Sequence, residues 1–160
     1  MGNIFTGSEL VEIGIEIEKN GRDFYSILSN QSKNQQAQGM FQFLAKEEEK
    51  HIAVFQGILD AVEKYQPPES YPGEYFAYMT NLASEYVFTQ KDKGKEIAKK
   101  TTSDLEAIEL GINFEKDSII FYEGMKKVIP QFDLKIVEQL VAQEEQHLKM
   151  LFDFKHGLIK

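Results

Sequence analysis

Two short segments of the sequence carry the same pair of potential metal ligands, a glutamate followed three residues later by a histidine. They run from Glu48 to His51 and from Glu144 to His147. Residues three apart lie on one face of an α-helix, so each segment directs a carboxylate and an imidazole the same way. These groups are suitable ligands for iron, manganese or zinc. One such segment is a weak signal, but two raise the question of which helices position them.

Both segments lie in runs whose apolar spacing predicts helices, over residues 35–64 and 134–154. At about 100° per residue, Glu48 and Glu144 fall in the middle of the apolar stripes of these helices. Glu49 lies about 100° away from Glu48, on the flank of its stripe. Because an acidic residue on a flank is usually solvated, we select Glu48 and Glu144 as the candidate ligands.

Two other predicted helices, over residues 8–29 and 103–128, each turn one glutamate towards their apolar face. These residues are Glu18 and Glu115, and the other acidic residues of both helices point away from that face. A lone glutamate facing the core more often pairs with a basic residue than binds a metal. Arg22 is close enough to Glu18 to pair with it, but no basic residue has the matching position beside Glu115.

The four helices form two copies of one pattern. Residues 14–19 correspond to residues 111–116, and the two Glu-x-x-His helices correspond to each other at nearly the same interval. Two hairpins with pseudo-twofold symmetry would bring four buried carboxylates together, and two divalent cations would neutralise their charge. The sequence thus predicts one dinuclear metal site. Its candidate ligands are Glu18, Glu48, His51, Glu115, Glu144 and His147.

At these residues the chain resembles the rubrerythrin-like branch of the ferritin-like superfamily. The matching motifs are Glu18-Lys19-x-Gly21-x-x-Phe24-Tyr25, Phe43-Leu44-Ala45-x-Glu47-Glu48-x-x-His51, Glu115-Lys116-Asp117-x-x-x-Phe121-Tyr122 and Glu144-Glu145-x-His147. The resemblance covers nearly the whole chain. It implies an all-α fold, a ferritin-like antiparallel four-helix bundle with a long crossover between its second and third helices, as a single domain over residues 1–160.

The resemblance also implies how two iron ions would share the ligands, with manganese or zinc as alternative metals. The implied roles are bridging for Glu48 and Glu144, terminal for Glu18 and Glu115, and completion of one ion's ligands each for His51 and His147. The activity implied is that of an oxidoreductase acting on hydrogen peroxide or dioxygen, as a rubrerythrin-like peroxidase or ferroxidase. An iron store or carrier without turnover and a metal-free interaction bundle are the alternatives.

The sequence departs from the family pattern in two respects. It contains no cysteine, which excludes a rubredoxin-type centre within it, so a separate electron-donor protein would be needed for catalysis. Rubrerythrin also has an extra glutamate on the third helix that exchanges as a ligand, whereas here Ile112 and Ser118 stand one turn from Glu115.

Two tyrosines lie two turns beyond the glutamates of the first and third helices. Tyr25 and Tyr122 are candidates for a hydrogen bond that orients a ligand carboxylate, with ordinary core packing as the alternative. Between the second and third helices, we expect a short helix over residues 74–88 and a solvated basic run over residues 91–100. Together they would form the crossover, with helices 2 and 3 parallel.

Charge and hydropathy limit the partners. A formal net charge of -8 argues against nucleic acid and anionic membranes. No apolar run approaches the roughly 18 residues of a membrane span, and the N-terminal pattern is not that of a signal peptide. We therefore expect neither nucleic acid nor a membrane as partner. The absence of cysteine fits a cytoplasmic protein, and we also expect a homodimer.

Overall fold

A computed structural model describes residues 7–65, 73–127 and 131–159, which are helical with short connections and contain no strand. This confirms the predicted all-α class. The elements are α1 (Gly7–Gln31), α2 (Gln35–Tyr65), α3 (Gly73–Ser84), a 3₁₀ turn (Val87–Thr89), α4 (Lys93–Lys100), α5 (Asp104–Met125) and α6 (Gln131–Ile159). The four long helices begin and end within five residues of the predicted positions, and the largest difference is at the end of α6, which was predicted at residue 154. No described helix is long and apolar enough to cross a membrane.

The four long helices form two antiparallel hairpins, α1 with α2 and α5 with α6. In the first hairpin, Arg22 lies 2.9 Å from Glu49, which only an antiparallel arrangement around the 32–34 connection allows. In the second hairpin, the Lys155 ammonium lies 3.6 Å from Glu109. Tyr25 bonds to Glu115 and Tyr122 bonds to Glu18, so α1 and α5 are also antiparallel. Hence α2 and α5 run parallel, and a chain segment must cross the length of the bundle to join them.

Apolar residues spaced three or four apart fill the space between the hairpins, as expected for helices with one buried face. Members of this core from all four long helices are at most 3% exposed, and include Leu10, Val11, Phe24, Phe41, Leu44, Phe55, Ile108, Phe121, Val137, Leu140 and Leu151. The candidate ligands lie within this apolar layer, and not at its edge.

The crossover is held against α1 by one buried asparagine. The Asn20 side-chain amide donates to the carbonyl oxygens of Phe88 and Gln90, at 2.7 and 2.8 Å, and its oxygen accepts from the Gly94 amide at 2.9 Å. A Cβ atom on Gly94 would lie only 2.1 Å from the backbone carbonyl oxygen of Asn20, so glycine is needed for this close approach. The run predicted only as a solvated basic segment therefore contains a helix, α4, whose buried Gly94 and Ala98 face α1.

Candidate metal centre

Each long helix contributes to one buried group of four glutamates and two histidines, which we call the Glu–His cluster. All six predicted ligands lie in it and are at most 4% exposed, with Glu18 on α1, Glu48 and His51 on α2, Glu115 on α5, and Glu144 and His147 on α6. Burial of this many ionisable groups at one point is unfavourable unless a cation compensates them.

The cluster divides into two overlapping sets of four residues, each of which could hold a metal ion. Within each set, one ligand atom per residue lies within 4.8 Å of the others. One set consists of Glu18, Glu48, His51 and Glu144, and the other of Glu48, Glu115, Glu144 and His147. Because Glu48 and Glu144 belong to both sets, they lie between the two places that metal ions could occupy.

The potential ligand atoms have no hydrogen-bond partners of acceptable geometry among the described residues. They are both carboxylate oxygens of Glu48 and Glu144, Oε2 of Glu18 and Glu115, and Nδ1 of His51 and His147. His51 Nδ1 is only 2.7 Å from Glu144 Oε1, so these atoms converge on a small volume. Native proteins leave few buried polar atoms unsatisfied. Eight of them together fit a site for bound cations.

Two tyrosine hydroxyls bond to Glu115 and Glu18, each from the opposite hairpin. Tyr25 Oη donates to Glu115 Oε1 at 2.9 Å, and Tyr122 Oη donates to Glu18 Oε1 at 2.6 Å. Burial, together with the charge of these glutamates, raises the pKa of both phenols well above the usual value. Both phenols thus stay protonated, and each glutamate keeps one oxygen bonded and the other facing the cluster.

The two histidines differ in their outer contacts. His51 Nε2 lies 2.7 Å from Gln143 Oε1, which can only accept, so Nε2 carries a proton. In the neutral form of the ring, Nδ1 therefore presents its lone pair to the cluster. His147 Nε2 has no hydrogen-bond partner in the described part of the chain. Its ring instead forms a T-shaped pair with the Phe43 ring, with the ring centroids 6.1 Å apart.

The charges within the cluster shift several pKa values. Burial first, and then repulsion from neighbouring carboxylates, raises the pKa of Glu48 and of Glu115 well above the usual range. Burial also acts on Glu144, but contacts from Glu115, His147 and His51 outweigh it and lower the pKa of Glu144. Burial disfavours the charged form of His51, yet contacts with Glu144 and Glu18 raise its pKa to about 11. Without a cation, the cluster therefore retains protons.

No lysine or arginine of the described residues pairs with a carboxylate of the cluster. Arg22, the partner considered for Glu18, instead bonds to Glu49 at 2.9 Å and to Asp23 at 3.2 Å. The carboxylate of Glu47 likewise binds Lys50, at 3.3 Å on the surface. Protein cations thus do not explain the buried negative charge.

Two residues that border the cluster were not selected from the sequence. Gln143 precedes Glu144 where the repeat has Glu47 before Glu48, so the break in the repeat was an available signal. Phe114 packs against Gly21, where a Cβ atom would lie 2.5 Å from Phe114 Cζ and 3.2 Å from Glu48 Oε2. Gly21 is therefore required for the close approach of the Phe114 ring.

An all-α bundle in which four glutamates and two histidines from four helices converge defines a ferritin-like protein with a dinuclear metal site. A model of the rubrerythrin family matches residues 9–155, and the chain belongs to that family. It is similar to a solved structure from Thermotoga maritima, classed as a ferritin-like diiron-carboxylate protein, with 26% identity, 98% of each chain covered and a TM-score of 0.74. Among curated proteins, none matches the chain.

Proposed function

We propose that this protein is a di-iron oxidoreductase that acts on hydrogen peroxide or dioxygen, with oxidation of ferrous iron as the related activity. The observation that carries the proposal is the convergence of eight buried carboxylate and imidazole atoms without hydrogen-bond partners. Membership of the rubrerythrin family and the similarity to a diiron-carboxylate protein support iron as the metal. Manganese and zinc suit the same ligands and are the alternatives.

The two overlapping sets support the ligand roles that we propose. Glu48 and Glu144, common to both sets, would bridge the two ions. The terminal ligands would be Glu18 and His51 for one ion and Glu115 and His147 for the other. Four ionised glutamates would balance the charge of two divalent ions, which removes the repulsion that raises the pKa of Glu48 and Glu115.

Two ferrous ions, when bound, would supply the two electrons that convert hydrogen peroxide and two protons into two water molecules. The protein's own groups hold this chemistry in place. Tyr25 and Tyr122 keep Glu115 and Glu18 oriented through hydrogen bonds from phenols that do not ionise. Burial keeps bulk water away from the reacting atoms, which strengthens the electrostatic interactions there.

The residues one turn from Glu115 provide no additional carboxylate. Ile112 is apolar, and the hydroxyl of buried Ser118 donates to the Phe114 carbonyl oxygen at 2.9 Å. We therefore propose that α5 offers the same single carboxylate ligand, Glu115, in both oxidation states. We also propose that a separate donor protein supplies the electrons, since the sequence contains no cysteine for a rubredoxin-type centre. The working unit that we propose is a homodimer, which size-exclusion chromatography with light scattering would test.

Rapid mixing of the anaerobically loaded ferrous protein with hydrogen peroxide tests the proposal. We expect two irons per chain and oxidation much faster than that of free ferrous iron under the same conditions. Oxidation no faster than the free ion would refute the oxidoreductase assignment. Uptake of many irons per chain during aerobic loading would instead identify an iron store, and failure to bind transition metals would refute both.

A further inference from the structure

A second cavity lies outside the Glu–His cluster, between α1, the crossover and α5. Its volume is about 350 Å³, within the range of sites for small organic molecules. Its walls are largely apolar and include Ile17, Phe88, Ile97, Leu110 and Phe114. The rings of Phe88 and Phe114 are in contact there, with centroids 4.6 Å apart. An apolar molecule would therefore find a preformed surface.

Two residues that line this cavity, Tyr86 and Asp117, have a polar group without partners among the described residues. Tyr86 is only 8% exposed, and its hydroxyl is buried with no hydrogen-bond partner among the described residues. Asp117 is half-buried, and its carboxylate makes no hydrogen bond or ion pair in the same part of the chain. A buried hydroxyl and a partly buried carboxylate without partners are unfavourable. A bound molecule that offers hydrogen-bond donors would satisfy both.

The other polar neighbours do not neutralise Asp117. Lys116 lines the cavity, but its ammonium group lies over the Phe152 ring, 5.6 Å from the centroid. The Ser118 hydroxyl donates to the Phe114 carbonyl oxygen. The cavity therefore combines apolar walls with a single uncompensated negative charge, on a protein whose formal net charge is -8.

We propose that this cavity binds a small organic cation, an amine on an aromatic or aliphatic body. The ammonium group donates to the Asp117 carboxylate and to the Tyr86 hydroxyl oxygen, and the body packs against Ile97, Leu110 and Phe114. An anion of the same shape is repelled by Asp117, and a neutral alcohol loses the charged hydrogen bond. The site does not depend on the redox function proposed above.

Isothermal titration calorimetry with benzylamine as the probe tests the proposal. We expect benzylamine to bind, with benzyl alcohol weaker and benzoate without measurable binding. Asp117→Asn should weaken benzylamine binding about tenfold or more, since hydrogen bonds to charged groups contribute at least that factor. Tyr86→Phe should weaken it by a smaller factor. Asp60→Asn, at an exposed position on α2, is the matched control and should bind like the wild type.

A second measurement does not depend on the stability of the variants. Benzylamine added to the ¹⁵N-labelled wild-type protein should shift the amide resonances of Ile97, Leu110 and Ser118, which line the cavity. Shifts confined to the residues of the Glu–His cluster would show that the amine binds a metal ion instead, and would refute the proposal. Equal binding of benzoate, no binding of benzylamine, or unchanged affinity in folded Asp117→Asn would also refute it.

Discussion

The hydroxyl of Tyr122 donates a 2.6 Å hydrogen bond to Oε1 of Glu18 and so joins α5 to α1 across the two hairpins. The equivalent bond from Tyr25 to Glu115 runs in the opposite direction, from α1 to α5, at 2.9 Å. Neither tyrosine bonds to the glutamate of its own helix. Each hairpin therefore orients a cluster carboxylate of the other, which couples the geometry of the Glu–His cluster to the docking of the hairpins.

Tyr122→Phe should weaken metal binding about tenfold to a hundredfold, because Glu18 loses the donor that fixes its carboxylate. Competition for Co²⁺ with a chromophoric chelator measures the affinity. Tyr78→Phe is the matched control, since Tyr78 is 55% exposed. An unchanged affinity in Tyr122→Phe would mean that this tyrosine contributes only packing.

Glu48→Gln should abolish the binding of at least one metal ion per chain, whereas Glu49→Gln should leave the stoichiometry unchanged. Glu48 is fully buried in both ligand sets, while the Glu49 side chain is 60% exposed and bonds to Arg22. Metal-free Glu48→Gln should also melt at a higher temperature than the metal-free wild type, because glutamine is neutral without the proton that burial and repulsion force Glu48 to take up on folding. Metal analysis and thermal unfolding check both outcomes. Equal effects of the two substitutions would contradict the selection of Glu48.

The stability of the metal-free protein should fall as the pH rises above neutrality. The pKa of His51 is raised from 6.5 to about 11. Its contribution to the stability of the folded state is therefore complete below pH 6.5 and is lost as the pH rises towards 11. Glu48 and Glu115 act in the same direction, because their raised pKa values favour protonated carboxyls in the folded state. The pKa of Glu144 is lowered from its usual value of 4.5. Glu144 therefore stabilises the folded state above pH 4.5, and this stabilisation is lost only as the pH falls below that value.

Metal binding should reverse the dependence of stability on pH, because metal ions displace the protons that the cluster retains. The difference in melting temperature between loaded and chelator-treated protein should therefore widen between about pH 6 and about pH 9. Differential scanning calorimetry at these two values measures the difference. A constant difference across this range would show that the ligands are already deprotonated in the metal-free protein.

Gln143→Ala should weaken binding of the ion held by Glu18 and His51 more than binding of the other ion. Gln143 fixes the tautomer and ring orientation of His51, and the loss of such a partner lowers metal affinity about tenfold or more. Among the described residues, His147 has no such partner, so the wild type should bind the ion at His51 more tightly and show two separate Co²⁺ binding steps. In Gln143→Ala the affinity of the tighter site falls, and the two steps should lie closer together. Glu47→Ala, at the corresponding place in the repeat, is the control and should keep two separate steps.

Gly21→Ala should destabilise the protein by about 1–3 kcal/mol, the usual cost of overpacking a core. The new methyl group would lie 2.5 Å from Phe114 Cζ, and the Phe114 ring is held by Phe88. Gly57→Ala is the matched control on α2, where, apart from the neighbouring residues and the backbone of the helix itself, no atom of the described residues lies within 4 Å of the new methyl group. It should stabilise by up to about 1 kcal/mol, since alanine is the better helix former. Chemical denaturation measures the free energy of unfolding, which should fall in Gly21→Ala and rise in Gly57→Ala.

The sequence by itself was sufficient to predict the four long helices and to select all six residues that meet in the cluster. The reason is that helical periodicity is local. The spacing of apolar residues around Glu48 and Glu144 decides which face of each helix is buried, without knowledge of any other helix. The internal repeat then indicated that Glu18 and Glu115 have equivalent places.

The tertiary structure decided the contacts between residues far apart in the chain. Tyr122 bonds to Glu18, Arg22 turns away to Glu49, and Asn20 anchors α4 through Gly94. Each of these contacts depends on the rotation and register of one helix relative to another. The spacing of residues within a single helix does not specify rotation or register, because both follow from how the side chains of the whole bundle pack together.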